Sequence, residues 1–105
     1  MNRLFAILKT AVMKQKIANL TLSIPYKRAG NVICQEPVSF DVFKTEAHYA
    51  LVPCLSEEEQ RIANLPDELR FVMEDGKPVS LRGKLDGNFH VIQDAVEHLQ
   101  QKQVI

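Results

Sequence analysis

Leu20, Leu22, Ile24 and Tyr26 alternate with Thr21, Ser23 and Pro25. A period of two puts the first set on one face of a strand and the second on the other. Pro25 has no amide to give to a ladder, which predicts an edge or a bulge at that end. Lys27-Arg28-Ala29-Gly30-Asn31 reads as a turn, because Gly30 and Asn31 tolerate positive φ. Val32-Ile33-Cys34 opens a return strand that Pro37 interrupts, and Val38, Phe40 and Val42 then alternate with Ser39 and Asp41. Another strand-like run goes from Ala47 to Val52 and stops at Pro53. Two hairpins in succession follow from this, and so an antiparallel sheet.

Ser56-Glu57-Glu58-Glu59 has the spacing of a capping box, with the Ser56 hydroxyl on the amide three residues on and Glu59 reaching back. The predicted helix runs to about Asn64, before Leu65-Pro66. Leu69, Phe71 and Met73 alternate with Arg70, Val72 and Glu74, and Asp75-Gly76 between two apolar runs signals a tight hairpin into Pro78-Val79-Ser80-Leu81. Asp86-Gly87-Asn88 breaks the chain and offers a cap. From Phe89 to Lys102 the period becomes helical. Phe89, Val91, Ile92, Ala95, Val96 and Leu99 share one half of the wheel, opposite His90, Gln93, Asp94, Glu97 and His98.

These elements predict an α+β fold. An antiparallel sheet of five or six strands carries a short middle helix and a carboxy-terminal helix packed on one face. Four strands precede the middle helix. Residues 1–13 also fit an amphipathic helix, with Leu4, Ile7, Leu8, Ala11 and Val12 on one side and Arg3, Lys9 and the following Lys14 on the other. The 105 residues suit a single domain, with 1–13 as a loosely attached extension. Ile33, Phe43, Ala50, Val52 and Val72 fall on the second sheet face, so that face is an expected partner or dimer surface.

Charge adds a second layer. Thirteen Lys and Arg balance thirteen Asp and Glu, yet the balance is a cancellation. Residues 1–31 hold six bases and no acid (Arg3, Lys9, Lys14, Lys16, Lys27 and Arg28), whereas residues 32–76 carry a net −7. Two arrangements satisfy this: the basic third folds against the acidic middle and the charges interleave, or the six bases form an anion-binding patch for nucleic acid or a membrane surface. A pI near 6.8 argues against a dedicated nucleic-acid protein. Tyr26 and Tyr49 beside Lys27 and Arg28 are the residues that could stack on a single strand.

Catalytic signatures are scarce. The four glycines form no GxGxxG or phosphate loop. His90, Asp94 and His98 form a line at helical spacing and are the weak metal candidates, but two groups eight residues apart sit about 12 Å apart along an axis. One ion cannot join both, so no metal or other cofactor is expected. Cys34 and His48 would resemble a nucleophile and base if their strands paired. Cys34 and Cys54 show no zinc spacing and read as two reduced thiols. The apolar stretch near the amino terminus is broken by Lys9 and lacks a cleavage site, so a cytoplasmic protein is expected. No run approaches the roughly 20 apolar residues of a membrane helix.

The function expected from the sequence is therefore a small non-enzymatic protein-interaction or accessory module. It would associate with itself through an exposed sheet face or edge, a homodimer being the simplest form. The alternatives are a binder of anionic polymers through the six early bases, and a small enzyme built on a histidine.

Overall fold

The computed structural model describes residues 14–82 and 87–105. The expected helix over 1–13 lies outside the described residues. Five strands form one antiparallel sheet in chain order: β1 (Gln15–Arg28), β2 (Val32–Lys44), β3 (Tyr49–Pro53), β4 (Leu69–Glu74) and β5 (Lys77–Ser80). The short helix α1 (Glu57–Ile62) joins β3 to β4, and α2 (Phe89–Gln101) follows β5.

Among the described residues three strands precede α1, not four. Pro37 does not break the return strand: β2 is continuous, and Pro37 lies opposite Ser23 of β1. The register explains the tolerance. β3 pairs with β2 only from Phe40 to Lys44, so Val32 to Val38 have a strand on one side alone. A proline at a half-paired position leaves no interior ladder bond unmade. The turn is also tighter than its composition suggests. β1 continues through Lys27 and Arg28, and a single 3₁₀ turn over Ala29–Asn31 reverses the chain, with Gly30 at φ 76°.

Alternation then sorts the side chains. Leu20, Leu22, Ile24 and Tyr26 of β1 lie opposite Phe40, Val38, Glu36 and Cys34 of β2. The four β1 residues are buried, as are Val38, Phe40 and Val42. Between Lys16 and Ala18 the register shifts by a bulge at Ile17. The extra residue turns Ile17 and Ala18 against the core and leaves Lys16 on the second face. Leu51, Leu69 and Phe71 continue the buried face, and Tyr49 stacks on Phe71 with ring centroids 5.3 Å apart. Val91, Ile92, Ala95, Val96 and Leu99 of α2 belong to the same core. That helix touches β1 and β5, the two outermost strands of the sheet. Each large core side chain of this kind contributes about 1.5–3 kcal/mol by leaving water.

Both described helices end by one device. Asn64 and Gln103 take positive φ, of 56° and 61°. Leu65 N donates to Gln60 O and Asn64 N to Arg61 O; Val104 N donates to Leu99 O and Gln103 N to Gln100 O. This is the Schellman pairing. It ends α1 at Ile62, two residues before the expected Asn64. At the other end of α1, Ser56 Oγ accepts from Glu59 N at 3.2 Å, the expected half of the capping box. Glu59 Oε2 is buried without a partner, so that oxygen does not complete the box. Asn88 occupies the cap position of α2 but its side chain makes no capping bond.

Candidate functional site

The second face of the sheet divides into a polar half and an apolar half. On β1 and β2 the alternate positions are polar, and pairing brings them into reach. Asn19 lies opposite Asp41, and Thr21 opposite Ser39. Asn19 Nδ2 donates to Asp41 Oδ1 and to Ser39 Oγ, both at 2.9 Å. Lys16 Nζ lies 3.0 Å from the same Asp41 oxygen, and Ser23 Oγ donates to Gln35 Oε1 at 3.0 Å. The Asn19 amide first, and Lys16 second, hold the Asp41 carboxyl below its ordinary range, because both favour the charged form.

Toward β3 and β4 the face changes character. Phe43 lies opposite Ala50, Ala50 opposite Arg70, and Val72 opposite Val79. Ala50 is buried even though it faces away from the core, because its small side chain sits between Phe43 and Arg70 in the ladder. Phe43, Val52 and Val72 are half-buried, and Val79 and Leu81 are 40% and 51% exposed. Charge is set into this strip: Arg70 stands opposite Ala50, with Leu81 N donating to its carbonyl from the other side. Lys14 Nζ lies 3.3 Å from Glu68 Oε2 and 4.9 Å from the Phe43 ring centroid, and Arg70 Nε lies 3.1 Å from Glu68 Oε1.

The six early bases do not share one environment. Lys14 meets Glu68 and Lys16 meets Asp41, so at these two positions the basic third interleaves with the acidic middle. Lys27 is exposed near the hairpin tip. Arg3, Lys9 and the side chain of Arg28 lie outside the described residues. Tyr26 is buried, and Tyr49 is half-buried and stacks on Phe71.

His90, Asp94 and His98 all lie on the exposed side of α2. His98 Nδ1 donates to the Asp94 backbone carbonyl at 2.8 Å, so its partner is the helix and not the Asp94 carboxylate. Among the described residues no three His, Cys, Asp or Glu side chains gather as a metal site. Cys34 and His48 do not meet. His48 lies just before Tyr49, which pairs with Lys44 at the far end of β2, whereas Cys34 pairs with Tyr26 near its start. That is roughly 30 Å at the rise of an extended strand. His48 instead sits in the β2–β3 turn, where Thr45 Oγ1 accepts from its amide at 3.1 Å and approaches Nδ1 at 3.4 Å. Both cysteines are free.

Asn19, Ser39, Glu68 and Arg70 were not singled out by sequence reasoning. Asn19 carried a signal, since it shares the parity of Thr21 and Ser23. Its partners depend on the β1–β2 register, which the turn fixes. Comparison with protein-family models, with curated proteins and with solved structures returned no match. Among the described residues no helix is long and apolar enough to cross a membrane.

Proposed function

We propose that this chain is a small interaction module that binds a second copy of itself through the apolar half of the second sheet face. The observation that carries the reading is the strip formed by Phe43, Val52, Val72, Val79 and Leu81, with the Lys14–Glu68–Arg70 cluster set into it. Aromatic and arginine side chains are enriched in interfaces, and this face presents both among its aliphatic groups. The cluster holds both signs, and the formal charge of the chain is zero, so two copies meet without long-range repulsion. In this arrangement α2 covers the opposite face. The setting proposed is the cytoplasm, which suits two free thiols.

The face is favoured over the edges. Among the described residues, β1 and β5 are the outer strands, and each contains a proline, Pro25 and Pro78. The half-paired stretch of β2 contains a third, Pro37. Proline and charge on an edge oppose strand addition.

Light scattering across a concentration series tests the reading. The native chain should move from monomer to dimer, and Val79→Glu with Leu81→Glu should remain monomeric with unchanged circular dichroism. A native chain that stays monomeric at its solubility limit would refute the proposal.

A further inference from the structure

We propose that a cavity near the tip of the β1–β2 hairpin binds a small organic anion with an apolar body, of the medium-chain carboxylate class. The cavity measures about 300 Å³ and lies where the hairpin meets the end of α1 and the start of α2. That volume is at the lower end for ligand sites.

Its walls and its charges point to the same kind of ligand. Ile24, Ala63 and Val91 are core residues that also line the cavity, with Ile62 half-buried beside them. Ile33 lines it too and is 64% exposed, the most exposed large aliphatic side chain among the described residues. A branched side chain at that exposure gains by contact with an apolar guest. Among the described residues, the ionisable ones in the lining are Lys27 and His90, both exposed and both basic. No carboxylate is among the described lining residues, and the first turn of α2 holds none. A cationic ligand would meet Lys27, and an inorganic anion would leave the hydrocarbon wall in water. A carboxylate on a short chain satisfies both parts. The cavity shares no residue with the strip of the second face, so this inference stands or falls apart from self-association.

The test is a titration of the full chain followed by backbone amide resonances, with octanoate, octanol and inorganic phosphate as probes. Octanoate should give saturable shifts at Ile33, Asn64 and Val91. Octanol should bind about fivefold more weakly, and phosphate should leave those amides unmoved. Lys27→Gln and His90→Gln should each weaken octanoate by up to about fivefold, the scale of an exposed charge pair. Both substitutions are at exposed positions, and unchanged circular dichroism confirms that the fold is kept. Absence of saturable shifts would overturn the proposal. So would equal binding of octanol and octanoate, or octanoate affinity indifferent to both substitutions.

Discussion

Lys16 and Asp41 meet across the first two strands, 3.0 Å from nitrogen to oxygen, and the same Asp41 oxygen accepts from Asn19. One residue thus joins the basic first third of the chain to its acidic middle. The consequence is a pH effect of definite sign. Asp41 titrates below 3.8 in the folded protein, chiefly through the Asn19 bond and then through Lys16. A depressed carboxyl adds stability above its unfolded pKa, and that increment is lost as pH falls through the folded value. Carboxyl-carbon resonances should therefore place the Asp41 midpoint under 3.8, and Asn19→Ala should raise it. An Asp41 midpoint at or above the ordinary value would contradict the hydrogen-bond assignment.

Phe71 is the heaviest single test of the core. It is fully buried on β4, lies opposite Tyr49 and Ser80, and stacks on the Tyr49 ring. Phe71→Ala removes that stacking and leaves a cavity, at a cost of about 3–5 kcal/mol. Against a total of about 5–15 kcal/mol for a domain, this should lower the urea midpoint sharply or unfold the chain. Phe71→Leu keeps most of the volume and should cost markedly less. Equal midpoints for the two variants would mean that the ring is not packed as described.

At the start of α1, Ser56 Oγ accepts from Glu59 N. Ser56→Ala should destabilise by about 1 kcal/mol, and Ser56→Asp should keep the cap. Denaturant unfolding measures both. If alanine and aspartate behave alike, the hydroxyl is not capping the helix.

The legible parts of this fold were those where one local signal sufficed. The alternation from Leu20 to Tyr26, the Asp75-Gly76 turn and the apolar half of α2 each depend on a few neighbouring residues, and each is found where expected. Pro37 was misread because its tolerance comes from β3 ending its pairing at Phe40, a fact of register rather than of composition. The Cys34–His48 pairing failed for the same reason, since a continuous β2 separates them. Of the five apolar positions expected on the second face, Phe43, Ala50, Val52 and Val72 lie on neighbouring stretches of β2 to β4, while Ile33 lies near the hairpin tip, opposite Lys27. The charged cluster of that face was not legible, because Glu68 reaches Lys14 only across four strands of sheet order and Arg70 joins through Glu68. Gln103 gave no signal at all, since glutamine is not a residue that advertises positive φ.

That last residue sets up the final prediction. Gln103 holds φ 61° at the end of α2, a conformation that costs a side chain with a Cβ about 1 kcal/mol or more. Gln103→Gly relieves the cost and keeps the Val104 N to Leu99 O bond. It should raise stability by up to about 1 kcal/mol, offset in part by the greater freedom of glycine in the unfolded chain. Gly76 provides the opposite case. It holds φ 78° in the β4–β5 turn, and a Cβ built there meets no atom within 4 Å. Gly76→Ala should therefore destabilise through the backbone alone, by about 1–2 kcal/mol. The two substitutions are measured together by thermal unfolding, with Gln103→Gly expected above the native chain and Gly76→Ala below it. Reversal of either sign would show that the corresponding turn does not hold the left-handed conformation.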